Sequence, residues 1–363
     1  MDERLKLMLL LNRAGANASA LASLMPLGIS PRELWSPGSV DAAALALSEK
    51  TLARLRQAEA ESWAERELER AERLGAAIVT IEDNDYPSPL FDLKDAPLVL
   101  YRRGGGWPLP ELCVGVVGTR RASAYGKETA RAVGADCAKY GVGLISGGAW
   151  GVDGCAQDGC ASGGGSTFAV LGTGIDVVYP AANRSLFERI CERGALISEF
   201  PIGESGEPWH FPQRNRIVAA LSRKLVVVEA PVKSGSMITA RLALELGREV
   251  WAVPGRITEA GFEGSNRLIF DGAYPYINGK EFFASCGADT EKNGERASDM
   301  PPLSAEEERI FRYLTENEGQ TIDKLSVAVK MSAADILKNI TLLSSKGVIF
   351  MSSPGRYSAK GNL

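Results

Sequence analysis

Arginines and small residues just after short apolar runs are the groups best placed to do chemistry in this chain. Cys113–Val117 is such a run, and it is followed by GTRRASAYG. There Gly118 permits a tight turn, Thr119 and Ser123 offer hydroxyls, and Arg120 places a bidentate guanidinium where a phosphate would sit. The next run ends in Ser146, Gly147 and Gly148, whose adjacent glycines let backbone N–H groups approach an anion or let a strand and helix pack closely. Arg214, Asn215 and Arg216 open an apolar helix, and two arginines at a helix start oppose its dipole unless an anion sits there. Ser236, Thr239 and Asn266 lie in further Ser/Gly-rich loops at expected helix starts. Five of six strand ends thus carry loops suited to an anion, more than a single small phosphate needs and better matched to a nucleic-acid strand.

Acid–base and metal chemistry are poorly provided for. His210 is the single histidine among 363 residues, which excludes mechanisms needing two unless other residue types substitute. Asp153, Asp176, Glu199 and Glu229 lie near strand ends, but no two are close in sequence and no histidine assists them, so capping or arginine pairing is expected. Trp209, His210 and Phe211 could stack on a base or form a partly buried aromatic corner. Asn183 reads as the N-cap of the following helix, with Arg184 a weaker phosphate candidate. Neither GxGxxG with a ribose-binding acid nor GxxxxGK[ST] is present, so no dinucleotide cofactor and no P-loop hydrolysis is expected, and no metal.

The elements that must position these groups read as a parallel, doubly wound α/β sheet. Runs such as CVGVVGT, GVGLISGG, STFAVLGTG, ALISEF, KLVVVEA and EVWAVPG alternate with helix-length amphipathic stretches between about 113 and 283. Ligands of such sheets bind at the carboxyl ends of the strands, where these loops fall. Residues 1–75 are Leu/Ala/Glu/Arg-rich and read as several helices, with turn signals at Pro26-Leu27-Gly28, Ser30-Pro31 and Ser36-Pro37-Gly38 and a charged helix from Ser48 to Leu74 closing at Gly75. Residues 76–111 read as an irregular connector because of their prolines. A polar linker follows over 284–302. Residues 303–363 then read as three helices, the third capped by Ser332, and a hairpin around Pro354-Gly355, a winged-helix arrangement. That unit holds 8 Lys+Arg against 7 Asp+Glu, and its third helix offers only Lys338 and Lys346, which favours contact with protein over DNA.

Bulk charge does not decide the partner. The chain carries 41 Lys+Arg against 45 Asp+Glu, and residues 112–283 hold 18 against 17, so an anionic polymer would have to be bound by placed arginines. The six cysteines are scattered without a CxxC pair and read as free thiols of a reducing compartment. Asp2 and Glu3 spoil a signal peptide's start and no run reaches the ~20 apolar residues of a membrane span, so a cytoplasmic protein without membrane contact is expected.

Taken in order, GTRxASxYG, SGGAxGVD, GxGxDxxYPxxN, FPxRNRIVAALS, VVVEAxxxSGSMITAxxAxxxGRxVWAVPG and GSNxLIxxGA closely resemble the DNA processing protein A family, also called Smf, over residues 76–283. The resemblance implies an extended Rossmann fold flanked by a sterile-alpha-motif-like helical domain at 1–75 and a winged-helix domain at 303–363. It also implies a non-enzymatic protein that binds and protects single-stranded DNA, forms a homodimer, and helps load a RecA-type recombinase in natural transformation. The family's phosphate-pocket arginine falls on Arg120, its paired glycines on Gly147 and Gly148, and its RNR helix start on Arg214, Asn215 and Arg216. Where many members read Ala-His, this chain has Ala156-Gln157, and the N-terminal part lacks a helix-hairpin-helix GxG. A second reading is a nucleotide-processing enzyme of phosphoribohydrolase type. The loop that would carry that class's catalytic glutamate is SGSMITARLA here, which has no acid. A third is a winged-helix regulator whose α/β domain senses a nucleotide.

Overall fold

The computed structural model describes residues 3–16, 21, 60–288, 303–317, 319–353 and 355–359. The expected turns between Pro26 and Gly38, residues 48–59 of the charged helix, most of the linker and Pro354 lie outside the described residues. Two compact units divide at residues 290 and 291.

In the first unit a nine-stranded sheet runs in the order β1-β2-β6-β5-β4-β3-β7-β8-β9. Its strands are β1 (Ala77–Thr80), β2 (Val99–Arg103), β3 (Cys113–Val117), β4 (Gly143–Ser146), β5 (Thr167–Val170), β6 (Ala195–Ser198), β7 (Lys224–Val227), β8 (Glu249–Ala252) and β9 (Tyr274–Pro275). β3 to β9 pair in parallel, as the alternating pattern predicts, whereas β1 and β2 are antiparallel to each other and β2 is antiparallel to β6. The expected irregular connector is therefore corrected. Residues 77–103 extend the sheet with a hairpin, and the prolines stay outside its strands: Pro87, Pro89 and Pro97 in the connection, which holds a 3-10 turn at Ser88–Asp92, and Pro108 and Pro110 after β2.

The sheet is covered on both faces, which explains the near-continuous apolar strands. Successive residues of β3 and β7 point into different cores: Cys113, Val117, Leu225 and Val227 into one, Val114, Val116 and Val226 into the other. The first core is closed by α6 (His210–Leu221) and α7 (Gly235–Glu245), the second by α3 (Ala124–Lys139), α4 (Val152–Ser162) and α9 (Gly279–Ser285). A further cluster joins α1 (Glu3–Ala14), α2 (Ala60–Arg73) and α5 (Arg184–Arg193) to residues of β2, β5 and β6. Gly75, just past α2, has φ +61°, the backbone expected of a glycine ending a helix. α8 (Glu263–Phe270) packs beside β8.

After β3 the chain proceeds to β4, β5 and β6 on one side, while β7, β8 and β9 lie on the other. The strand order reverses between β3 and β7, so the loops leaving the carboxyl ends diverge there and open a crevice.

The second unit contains α10 (Ala305–Glu316), α11 (Ile322–Val329) and α12 (Ala333–Ser345) with a small sheet in the order β10-β12-β11 (Gln320–Thr321, Arg356–Ala359, Ile349–Ser353). Ser304 and Glu307 form a capping box, and the Ser332 hydroxyl accepts from the Asp335 amide as its N-cap reading requires. Lys346, one of the two lysines expected on the third helix, donates to Glu307 at 2.7 Å. Among the described residues no helix is long and apolar enough to cross a membrane.

Candidate functional site

A cavity of about 620 Å³ occupies the crevice at the β3/β7 reversal. The loop Gly118–Arg121 after β3, Gly147 after β4, Phe211, Arg214 and Asn215 on α6, and Ser234–Ser236 with Thr239 at the start of α7 line it.

Arg214 is the buried charge of the site, 4% exposed. Its guanidinium donates to the Gly147 carbonyl at 2.5 Å and to the Val170 carbonyl, and Nε donates to Asn215 Oδ1 at 3.3 Å. Burial pulls its pKa down to about 10; the nearby Arg120 acts in the same direction, while Asp153 opposes it. Asp153 is itself buried, and burial raises its carboxyl against the opposing pull of Arg214 and of backbone N–H donors. Gly147 has to be glycine, because a Cβ there would fall 2.6 Å from Asp153 Oδ2 and 2.7 Å from Arg214 Nη2.

Arg120 stands at the mouth, exposed, with its guanidinium 5.0 Å from the centre of the Phe211 ring. Thr119 is tied down on both sides: its amide donates to the Glu229 carbonyl at 2.7 Å and its hydroxyl accepts from the Arg121 amide at 3.2 Å. Ser234 makes no side-chain cap on α7, so the first amides of that helix border the cavity without a capping side chain; the Ser234 and Ser236 hydroxyls lie 2.8 Å apart. A negative group here would meet Arg120, the buried charge of Arg214 and a positive helix end together.

Of the residues singled out from the sequence, Gly118, Thr119, Arg120, Gly147, Asp153, Phe211, Arg214, Asn215, Ser236 and Thr239 thus share one cavity. The others are placed elsewhere. Ser123 caps α3 by accepting from the Gly126 amide, and its own N–H and hydroxyl donate to Glu229 Oε2 at 2.9 and 2.8 Å. Ser146 is buried, donating to the Val116 carbonyl at 2.6 Å. Gly148 supplies a positive φ of +64° under the Phe187 ring. Asn266 holds both the N–H and the C=O of Gly255 at 3.0 Å. Arg216 belongs to a second cavity of about 700 Å³, where it pairs with Glu199 and, at 3.0 Å, with Asp95. The expected helix start is corrected: α6 begins at His210, so Arg214 and Arg216 lie in its second turn and not at its positive end, and their charges are met inside the protein, by Asp153 and backbone carbonyls for Arg214 and by two carboxylates for Arg216.

Asn183 does not cap α5; its Nδ2 donates to the Gly148 and Ala149 carbonyls at 3.0 and 3.4 Å, bracing the glycine loop instead. His210 stacks on Phe200 at 4.1 Å and meets Trp209 edge-on, the aromatic-corner arrangement, beside the second cavity. The four strand-end acids cap or pair: Asp153 accepts from Gly147 N, Asp176 from Gly203 N, Glu199 pairs with Arg216 and Glu229 holds Ser123. Among the described residues no group of three or more His, Cys, Asp or Glu is placed to hold a metal ion.

Two supporting roles were not drawn from sequence, one of them for Phe211, expected only as a base stacker or part of an aromatic corner. Phe211 carries Arg120, and Gly151, the third glycine of SGGAWG, has φ +88° with its Cβ position 2.4 Å from the Thr119 carbonyl, pinning the first two loops together. A third small residue at that spacing is a signal that could have been read.

Fold and site define a Rossmann-like α/β protein with an anion-receptive crevice at its topological switch point. The family model of DNA recombination-mediator protein A matches residues 77–287, and the chain belongs to that family, whose work is DNA processing in recombination. It is 33% identical over 325 residues to the putative DNA processing protein DprA of Mycobacterium tuberculosis, covering 81% of this chain and 82% of that one. It is 39% identical over 227 residues to protein Smf of Synechocystis, covering 61% of this chain but only 56% of that longer relative. Among solved structures, DNA processing protein A from Streptococcus pneumoniae superposes with a TM-score of 0.65 at 30% identity, covering 76% of this chain and 95% of that one. DNA processing protein A from Helicobacter pylori, a structure described for its single-stranded DNA binding mode, gives 0.53 at 32%, covering 57% and 94%.

Proposed function

We propose that this chain binds single-stranded DNA along the carboxyl edge of the sheet, with a backbone phosphate in the Arg120–Arg214 crevice, and hands the strand to a RecA-type recombinase without itself performing catalysis. The observation that carries the reading is the crevice: a free guanidinium over an aromatic ring, a second guanidinium buried behind it, and a helix start without a side-chain cap, with Asp153, its one acid, committed to backbone amides. An anion fits that arrangement, and a polymer of phosphates fits the run of similar loops beside it. The single-strand binding mode described for the Helicobacter pylori relative supports it. On this reading the chain works in the cytoplasm as a homodimer. Residues 1–75 form a sterile-alpha-motif-like domain, 76–283 the DNA-binding domain, 284–302 a linker and 303–363 a winged-helix domain that contacts protein.

The test is a fluorescence-anisotropy titration of a labelled oligothymidylate at several salt concentrations. Arg120→Ala should weaken binding and reduce the slope of log affinity against log salt by about one. An unchanged affinity and slope would overturn the assignment of the crevice, and turnover of nucleoside monophosphates to free base would overturn the non-enzymatic reading.

A further inference from the structure

A second cleft of about 630 Å³ lies beyond the first along the carboxyl edge of the sheet, between residues 123–125 after β3 and Pro254–Arg256 after β8. The loop after β3 serves both clefts: Gly118–Arg121 line the first, Ser123–Tyr125 the second, with one residue between. β7 alone separates β3 from β8, so the walls stand two strand spacings apart, roughly 10 Å.

Both walls are braced by polar groups, the buried Glu229 and the half-buried Asn266, that no anion-binding role explains. Glu229 accepts from the amide and hydroxyl of Ser123. Asn266 clamps Gly255 from both sides, and a Cβ on Gly255 would fall 2.0 Å from the Phe262 ring, so the loop fits only as glycine against that ring. Between them sits Tyr125. Its hydroxyl donates to the Pro254 carbonyl at 3.3 Å and its ring leans on Phe262 at 5.6 Å, yet the side chain stays 50% exposed. Arg256, 83% exposed, meets among the described residues only the half-buried Glu259, which also lines the cleft, at 3.6 Å, a pairing worth little in water. A ring fixed through its hydroxyl and half open to solvent, beside a cation on a braced loop, is the combination on which single-stranded nucleic acid stacks a base and anchors its phosphate.

We infer that Tyr125 and Arg256 form a second nucleotide subsite, in which the strand leaving the Arg120–Arg214 crevice continues toward β8, stacks one base on Tyr125 and pairs the adjoining phosphate with Arg256. The inference rests on the single-strand reading above and adds the direction of the strand on the protein. It explains why the ASAYG and PGR…GSN segments are braced although Ser123 and Asn266 do not line the first crevice.

The experiment measures affinity for oligothymidylates of increasing length with the wild-type chain, Tyr125→Ala, Tyr125→Phe and Arg256→Gln, with oligomer mass read in the same samples. Wild type and Tyr125→Phe should gain affinity as the oligomer outgrows the first crevice. Tyr125→Ala and Arg256→Gln should bind the shortest oligomers as wild type does but lose about tenfold of that gain, the scale of one base–aromatic stack. Arg256→Gln should also lower the salt slope by about one on long oligomers alone. Loss of the gain in Arg256→Gln, an exposed position, supports the subsite even if Tyr125→Ala fails to fold. Variants that keep the full length gain overturn the subsite while leaving the crevice standing, and so does a fall in oligomer mass, which would make the ring a contact between copies. A wild-type chain that binds no oligomer overturns the single-strand reading and the subsite with it.

Discussion

Asp153 and Arg214 grip the same residue from its two sides: the carboxylate accepts the Gly147 N–H at 3.1 Å and the guanidinium donates to the Gly147 carbonyl at 2.5 Å. Two largely buried opposite charges therefore hold the glycine turn after β4 from the floor of the crevice. Removing one leaves the other uncompensated, so Asp153→Ala should cost about 3–5 kcal/mol of stability and Asp153→Asn less, because an amide oxygen still receives the backbone donors. Denaturant unfolding of both variants checks this, and equal losses would show that the charge is immaterial.

The Glu229 side chain bears on the site through Ser123, while its backbone carbonyl holds the Thr119 amide. Two charge-assisted hydrogen bonds join its Oε2 to that residue, and Glu229→Gln should remove about 1–2 kcal/mol while weakening oligothymidylate binding, although the side chain would meet no phosphate. Its salt slope should match wild type. A lowered slope in the anisotropy titration would mean that the variant has lost a phosphate contact, contrary to its placement.

What the sequence disclosed and what it hid follow from how far apart the deciding residues are. β3 to β8 are apolar runs buried on both faces, a pattern local to each strand, and the loops after them follow from the parallel topology. β1 and β2 escaped notice because the prolines around them suggest an irregular connector; β1 pairs with β2, and β2 is tied into the sheet by β6, far along the chain. Asn183 reads as a cap from its neighbours, but its amide is claimed by Gly148, 35 residues away. Arg214 and Arg216 are two residues apart on a helix and so face different sides, a separation of about 200° that sends one to the crevice and the other to the second cavity. That two arginines sit on an otherwise apolar helix was visible; that the helix starts four residues earlier, at His210, and which carboxylate meets each arginine was not.

That divergence yields a prediction opposite to the one for Arg120. Arg216→Ala should leave the salt slope of single-strand binding unchanged but should destabilise the fold by about 3–5 kcal/mol, since it strands the buried Glu199. Pairing it with Glu199→Gln should recover part of that loss. A slope reduced by about one in Arg216→Ala would instead bring this arginine into the strand's path.

Asp136, on α3, gives the molecule a pH dependence unrelated to the crevice. Its carboxyl packs where α9 begins, at Gly279, and burial raises its pKa from 3.8 to about 6, with Lys139 pulling the other way. Because the folded chain holds this proton more tightly than the unfolded one, the group's favourable contribution is complete below pH 3.8 and is lost as pH rises toward 6. At neutral pH the ionised carboxylate is then a cost of about 2–3 kcal/mol. Asp136→Asn removes that titration. Its stability relative to wild type should therefore rise across the same interval and level off above it, in urea unfolding measured at successive pH values. A difference between the two proteins that does not change with pH would show that Asp136 keeps an ordinary carboxyl in the fold.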